Sequence, residues 1–296
     1  MADELILVTG ATGNVGRVVV QQLLAAGARV RAAGRTTESV TRMFGDRVDA
    51  VALDFTDEKT WPAAFDGVRR MFLLRPPHLG KPKKQIIPAL EYARAHGVEQ
   101  MVFLSLQGAE KNKVVPHAAI EAWLRTSGAE WTFVRASFFH QNLSTTHLTD
   151  IRDRDEILVP AGRGATAFVD GEDVGAVGAA ALLHPSAHRN TAWTVTGKEA
   201  LTYEQVARIL TIELGRPIRY ARPGIVRYLR HARQTLGMPW GMVIVTAAIY
   251  TTARLGLAGG LTDTVNQVLG RDPISFADFA YRERDIWNPT PAGKGT

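Results

Sequence analysis

The first half of the chain alternates short apolar runs with helical apolar faces. Leu5-Ile6-Leu7-Val8 is a run of strand length, and Val15, Val18, Val19 and Leu23 then fall on one face of a helix. Strands alternating with helices in this way predict parallel βαβ units. We therefore expect a doubly wound, Rossmann-like parallel α/β sheet over roughly the first 140 residues. Its later strands are predicted at residues 28–33, 48–53, 68–74, 100–104 and 131–134.

Beyond that region the pattern is less regular. Trp193-Thr194-Val195 reads as a further strand of the same sheet, Thr202 to Gln205 as a capping box, and Ser275 as the start of the last helix. We expect residues 1–155 to form the sheet domain. Residues 156–296 are expected to add strands and a small, mostly helical cap.

Composition places the chain among ordinary globular proteins. Of 296 residues, 46% are hydrophobic and 22% charged. The chain has no cysteine, which excludes disulfides and thiolate chemistry. Its acidic first residues run directly into a strand, so we expect no signal peptide and a cytoplasmic protein.

A net charge of +6 raises the question of a polyanion partner. The positive charges concentrate at residues 81–84 and along residues 216–233, without an aromatic stacking platform. A solvated face is favoured, and no nucleic acid is expected. The run from Trp240 to Ala253 carries no charge but is shorter than the roughly 20 residues of a membrane span. We expect a buried or ligand-covering helix there.

The glycine-rich turn between the first strand and the first helix predicts a dinucleotide site. Gly10 permits a tight turn, Gly13 lets N–H groups approach a pyrophosphate, and Gly16 lets the helix pack closely. The positive end of the helix then faces the phosphates. The spacing is G-x-x-G-x-x-G, and a glycine-rich connection without a ligand is the alternative. The predicted contacts in this loop are Gly10, Thr12, Gly13, Asn14, Val15 and Gly16.

The end of the second strand indicates which nucleotide is preferred. An NAD site usually carries Asp or Glu there, whereas this chain has Arg35 and Thr36. Arg35 suits a 2′-phosphate, so NADP(H) is predicted over NAD(H), the alternative being an ordinary surface arginine. Asp54 is predicted to accept from the adenine amino group, with Phe55 beside the ring. Asp54 can equally be a helix cap.

These features resemble the NmrA-like branch of the atypical short-chain dehydrogenases/reductases. The resemblance implies a Rossmann-type NAD(P) domain with a small carboxy-terminal substrate domain. Such families include quinone and imine reductases, and also redox sensors that bind NADP without turnover. Similarity to ergot-alkaloid reductases around residues 73–77 and 138–139 adds Leu74, Arg75 and Pro76 to the implied cofactor contacts. The matching stretches are residues 9–16, 34–35, 53–54, 103–106, 132–135, 137–139 with Asn142, and 201–207.

The chain departs from the wider family at its proton donor. Short-chain dehydrogenases typically carry Tyr-x-x-x-Lys on the helix after the fifth strand. The tyrosine position is Pro116 here, and the lysine position is Ile120. The usual proton donor is missing, which weakens any assignment as a carbonyl reductase or as a sugar epimerase.

Other side chains remain candidates for chemistry. Ser105 ends the fifth strand, and His117 begins the helix with a pKa expected near working pH. Each also has a structural interpretation, as a strand-end cap or a solvated histidine. His140 and His147 lack ligand-spaced partners, so no metal site is predicted. The cofactor's nicotinamide and the substrate are expected near Ser137, Phe138, Phe139 and Asn142.

The leading hypothesis is an NADPH-dependent reductase of a planar quinone-like or iminium-like small molecule, acting as a monomer or homodimer. Such acceptors need little acid assistance, which suits a chain without the dyad. The alternative is a non-catalytic NADP(H) sensor that regulates a protein partner, with the basic segment at residues 222–233 as its contact surface.

Overall fold

A parallel β-sheet of seven strands organises the chain. The structure, a computed structural model, describes residues 4–288. The strands are β1 (Leu5–Thr9), β2 (Arg29–Gly34), β3 (Asp49–Ala52), β4 (Val68–Leu74), β5 (Gln100–Leu106), β6 (Glu130–Ala136), β7 (Phe138–Phe139), β8 (Glu156–Ile157), β9 (Ala165–Thr166), β10 (Phe168–Val169), β11 (Thr191–Val195), β12 (Leu201–Thr202) and β13 (Arg219–Tyr220).

Helices connect these strands and build most of the later chain. They are α1 (Asn14–Ala25), α2 (Thr37–Phe44), α3 (Trp61–Phe65), α4 (Pro82–Gln85), α5 (Ile87–Ala95), α6 (Pro116–Thr126), α7 (Gln141–Ser144), α8 (Leu148–Arg154), α9 (Gly171–Leu183), α10 (Pro185–His188), α11 (Tyr203–Leu214), α12 (Ile225–Gln234), α13 (Trp240–Arg254), α14 (Thr264–Leu269) and α15 (Phe276–Trp287). Short 3-10 turns lie at Gly45–Arg47 and Glu58–Thr60.

The sheet has the order β11-β6-β5-β4-β1-β2-β3, and its strand pairs are parallel. Its central strands are buried on both faces, which explains their continuous apolar runs. The predicted doubly wound fold is confirmed. Residues 193–195 pair with β6, so the expected later strand is confirmed as well.

The described residues divide into two compact units that interleave along the sequence. Unit 1 holds residues 4–136, 171–195 and 264–271, and includes the whole seven-stranded sheet. Unit 2 holds residues 137–170, 196–263 and 272–288. Its small strand pairs are β10 with β7, β12 with β9 and β13 with β8.

Local sequence signals set the helix boundaries in unit 2. Thr202 and Gln205 form the predicted capping box at the start of α11, and Gly215 ends that helix with a positive φ. Ser275 caps α15 by accepting a hydrogen bond from the Asp278 N–H. These helices pack an apolar core around large buried side chains: Tyr203, Tyr228, Phe276, Phe279 and Trp287.

Helix α13 departs from the expectation of a buried helix. Only Val243, Ala247, Tyr250 and Ala253 along it are buried. The remaining apolar side chains of the run are largely exposed. The expectation of a fully buried helix is wrong, because one apolar face suffices to attach the helix to unit 2, and the alternative of a ligand-covering helix stays a prediction. Within residues 4–288, no helix combines the length and apolar character needed to cross a membrane.

Candidate functional site

The turn between β1 and α1 has the backbone geometry that an anion site requires. Gly10 adopts a φ of +62°, a conformation that side-chain-bearing residues rarely take. The Gly13 N–H donates to the Gly10 carbonyl at 3.0 Å and closes the turn. Gly13 is also the N-cap of α1, and no side chain caps that end. The first-turn N–H groups are thus directed towards any ligand at the turn.

Gly16 keeps α1 in contact with the turn. A Cβ at this position would lie 2.1 Å from the Gly10 carbonyl oxygen and 2.7 Å from its carbon. No side chain fits there without moving the helix. The geometry therefore fits a dinucleotide phosphate cradle. Val15 is buried beneath the turn and Asn14 is exposed, so Val15 can contribute only its backbone to a ligand.

Leu74, a predicted cofactor contact, lies beside this turn. The Thr9 hydroxyl donates to the Phe72 carbonyl at 3.1 Å and accepts from the Leu74 N–H at 2.8 Å. A Cβ on Gly10 would meet the Leu74 side chain at 3.2 Å. The buried threonine thus ties the carboxyl ends of β1 and β4 together, where ligands of such sheets bind.

Arg35 and Thr36 follow β2 as predicted. The Arg35 side chain is exposed, and the described residues offer it no ion pair. Thr36 caps α2 by accepting from the Ser39 N–H at 3.3 Å. Its hydroxyl therefore already has a structural role, whereas the Arg35 guanidinium is available to a phosphate.

Asp54 and Phe55 follow β3, and each is held by contacts within the fold. One Asp54 oxygen accepts from the Thr56 N–H at 2.8 Å and from the Thr56 hydroxyl at 2.7 Å, and these bonds lower the pKa of the carboxyl. Asp54 is therefore held in a local turn, while the N-cap of the 3-10 turn that follows is Asp57 and not Asp54. The Phe55 ring is only 4% exposed and belongs to the core around Leu7 and Phe65. The Phe55 ring is thus part of the core, and its expected place beside the adenine ring stays a prediction.

Arg75 organises the loop after β4. One guanidinium nitrogen, Nη1, donates to the carbonyls of Pro76 at 2.9 Å, Pro77 at 3.1 Å and Leu79 at 3.1 Å. Its Nε donates to His117 Nε2 at 3.4 Å. Burial lowers the pKa of this guanidinium. Arg75 therefore holds the loop and joins it to the start of α6.

His117 is not the neutral-pH proton donor that the sequence suggested. Burial, with a further contribution from the Arg75 charge, lowers its pKa to about 3. The ring stacks on Phe103 with the centroids 5.8 Å apart. The expectation of a pKa near working pH is wrong, because the imidazole is desolvated beside a cation. At neutral pH it is an uncharged acceptor.

Ser105 is fixed by a buried ion pair that sequence reasoning missed. Its hydroxyl donates to Glu121 Oε1 at 2.7 Å. The Arg135 guanidinium donates to both oxygens of the same carboxylate, with Nε 2.9 Å from Oε1 and Nη2 2.6 Å from Oε2. These three residues are each under 9% exposed. The signal was present in the sequence, since Arg135 follows the apolar pair Phe133 and Val134 within a strand.

The residues predicted around the acceptor lie in unit 2. Phe138 packs against Phe168 and Tyr250, each with ring centroids 5.7 Å apart. Ser137, Phe139 and Asn142 are partly exposed. The structure therefore surrounds Phe138 with aromatic rings and leaves its sequence neighbours partly accessible.

A second buried polar network in unit 2 was also missed. Tyr250 Oη and His147 Nε2 lie 2.6 Å apart, and His231 Nε2 lies 2.8 Å from Asp150 Oδ2. Burial raises the pKa of Asp150, but the two imidazoles outweigh that effect and the pKa falls to about 2. Among residues 4–288, no group of three or more His, Asp or Glu side chains is arranged to hold a metal ion.

Solved structures with the same fold carry related nucleotides. The chain superposes on the NADPH-dependent quinone oxidoreductase of Escherichia coli, solved with NADPH, with a TM-score of 0.82 at 21% identity over 94% of this chain and 99% of that one. It superposes on NmrA, a negative transcriptional regulator, with a TM-score of 0.75 at 18% identity over 97% of each chain. NmrA has been solved with NADP and with NAD. These structural similarities show that the chain has the same fold as these proteins.

Sequence comparison shows the family. The NAD(P)H azoreductase of Xenophilus azovorans is 33% identical over 288 residues, covering 93% of this chain and 96% of that relative. Festuclavine and agroclavine dehydrogenases of fungi also match, as the resemblance to ergot-alkaloid reductases predicted. The model of the NmrA-like family matches residues 2–249. The chain therefore belongs to the NmrA-like family, whose members similar to it include NAD(P)H-dependent reductases.

Proposed function

We propose that the protein is an NADPH-dependent reductase of a planar, electron-poor small molecule such as a quinone or a cyclic iminium ion. One observation carries the proposal: neither candidate proton donor is available at neutral pH. The Ser105 hydroxyl donates to Glu121, and His117 is uncharged. An acceptor whose reduced form is already a stable anion or amine needs no such donor.

The cofactor part of the proposal is supported by the glycine turn and by Arg35. The close approach of Gly16 to Gly10 makes a cradle that a side chain would fill. NADPH, when bound, supplies the hydride. Arg35 is proposed to pair with its 2′-phosphate, because the end of β2 has no carboxylate to hold ribose hydroxyls. Asp54, with one oxygen committed to Thr56, is proposed as a minor adenine contact at most.

The protein's own contribution is proposed to be positioning. Phe138 and Phe139 offer aromatic faces to a flat acceptor, and the Asn142 amide and Ser137 hydroxyl can orient polar groups. Ser105 and His117, predicted as catalytic residues, take positioning roles here. Holding two reactants in the correct relative position can remove a large part of the activation free energy of their reaction. The similarity to an azoreductase supports a flat aromatic substrate.

Steady-state oxidation of NADPH with a panel of acceptors tests this proposal. We expect turnover with quinones or cyclic iminium ions, and at least about 100-fold lower kcat/KM with simple ketones. An Arg35→Ser variant should raise KM for NADPH without changing that order of acceptors. Faster reduction of ketones than of every quinone and iminium ion would refute the proposal.

The second candidate function is an NADP(H) sensor that regulates a protein partner. The missing dyad and the shared fold with NmrA, a negative transcriptional regulator, favour it. This function predicts tight NADP(H) binding, no turnover with any acceptor, and capture of a partner that depends on the cofactor. Pull-down with and without NADPH distinguishes the two candidates.

A further inference from the structure

One stretch of the chain is entirely free of acidic residues. Residues 214–262 contain no Asp or Glu. The whole protein has a net charge of +6, so this stretch carries a charge excess comparable to that of the entire chain. It includes α12 and α13, both within unit 2. Its arginines are Arg216, Arg219, Arg222, Arg227, Arg230, Arg233 and Arg254.

Helix α13 presents a broad apolar face to solvent. Trp240 is 57% exposed, Ile244 63% and Val245 53%. The loop after the helix continues this face with Leu255 and Leu257, which are 67% and 74% exposed. A contiguous apolar surface of this kind marks an interaction site, because monomeric proteins rarely expose one.

Helix α12, which precedes α13 in the same unit, carries exposed positive charge. Arg227, Arg230 and Arg233 are exposed, while Tyr228 and His231 on the opposite side are buried. The described chain gives Arg227 and Arg230 no ion pair. These guanidinium groups are therefore available to an anionic partner.

A hydrogen bond and a ring contact hold the two helices together. The Tyr228 hydroxyl donates to Thr246 Oγ1 at 2.7 Å, and the Tyr228 and Tyr250 rings pack edge to face with centroids 5.4 Å apart. The charged helix and the apolar helix thus pack against each other within unit 2. We call α12, α13 and the loop to Leu261 the arginine–apolar surface.

We propose that the arginine–apolar surface docks the protein on anionic lipid bilayers. Exposed Trp and aliphatic side chains beside arginines are the composition of helices that lie in the membrane interface. At 15 residues, α13 lies along a bilayer rather than across it. A second copy of this chain fits less well, because a self-complementary contact would bring two acid-free, arginine-rich surfaces together.

Sedimentation with vesicles tests the proposal on the full chain. We expect binding to phosphatidylcholine vesicles that contain phosphatidylglycerol, weak binding to pure phosphatidylcholine, and loss of binding as salt rises. Replacing Arg227, Arg230 and Arg233 by Gln should weaken binding about 100-fold, since each surface arginine contributes roughly fivefold. The matched control replaces Lys83, Lys84 and Arg208 by Gln. These residues are exposed and lie outside the arginine–apolar surface, so the control should bind vesicles as the wild type does.

A second pair of variants tests the apolar part of the arginine–apolar surface. Trp240→Ser with Ile244→Ser should weaken vesicle binding at least tenfold. Ile212→Ser with Ile286→Ser removes exposed apolar side chains outside the surface and should leave binding unchanged. Thermal unfolding of each variant establishes that the fold is retained.

Several results would overturn the proposal. These are no binding to anionic vesicles, equal binding to neutral ones, or equal losses in the test and control variants. If the protein is a homodimer in solution and the Ile244→Ser variant is a monomer, the apolar face binds a second copy of the chain rather than a membrane. Capture of a soluble acidic protein by this surface, without vesicle binding, would assign it to a protein partner.

Discussion

Replacing Gly16 by Ala tests the cofactor cradle directly. The new methyl carbon would lie 2.1 Å from the Gly10 carbonyl oxygen, whereas real Cβ atoms essentially never come within 3.0 Å of such an atom. Helix α1 and the turn must therefore separate by at least 0.9 Å, the difference between these distances. The contact is with backbone, so no side-chain rotation relieves it.

A shift of this size should act on cofactor binding more than on folding. Misplacing reacting groups by about 1 Å costs roughly 100-fold, and overpacking typically costs about 1–3 kcal/mol of stability. We expect NADPH affinity, measured by isothermal titration, to fall about 100-fold in Gly16→Ala. Gly80→Ala is the matched control, because a methyl there meets nothing within 4 Å and the backbone has no positive φ.

The Gly13→Ala variant should weaken NADPH binding less than Gly16→Ala does. Its methyl would lie 3.3 Å from the Gly10 oxygen, a contact that a small shift relieves. We expect a loss of about tenfold, since the methyl also occupies the exposed N-cap of the phosphate-facing helix. If Gly16→Ala does not fold, this variant still tests the cradle. Folded variants that both bind NADPH as tightly as Gly80→Ala would refute the reasoning.

Four further predictions concern charges. Arg35→Ser should weaken NADPH binding about 10- to 100-fold in calorimetry and leave NADH binding unchanged. Glu121→Leu should lower the free energy of unfolding by about 3–5 kcal/mol, and adding Arg135→Met should restore most of it in denaturant titrations. The pKa of Asp150 falls from 3.8 to about 2 on folding, so it stabilises the protein above pH 4 and this contribution, about 2 kcal/mol, is lost between pH 4 and pH 2. The stability difference between wild type and Asp150→Asn should shrink over that range. His117, with a pKa of about 3, should show no NMR titration between pH 5 and 8.

The sheet and its turns were predictable because their signals are local. Strands buried on both faces must be continuously apolar, and such runs stand out in sequence. The turn at Gly10 and the capping box at Thr202 each involve residues within a few positions of one another. Sequence alone therefore identifies the glycine-rich turn and the helix that follows it.

The electrostatics of the site were not predictable, because they depend on distant residues. Glu121 and Arg135 pair across 14 positions, and burial, with a smaller contribution from Arg75 42 positions away, lowers the pKa of His117. Residues 240–253 of helix α13 carry no charge, so its sequence gives little sign of which face is buried. Burial and pairing of this kind follow only from the assembled fold.

The Glu121–Arg135 pair also bears on which acceptors the proposed reductase can use. If Ser105 is to donate to a substrate oxygen, its hydroxyl must leave a carboxylate at 2.7 Å. A hydrogen bond to a charged group is worth about 1.5–3 kcal/mol, a penalty of roughly 10- to 150-fold in rate. A ketone incurs that penalty because its alkoxide must be protonated, whereas a quinone product is stable as an anion. The hydrogen bond that fixes Ser105 thus favours the acceptors that need no proton from it.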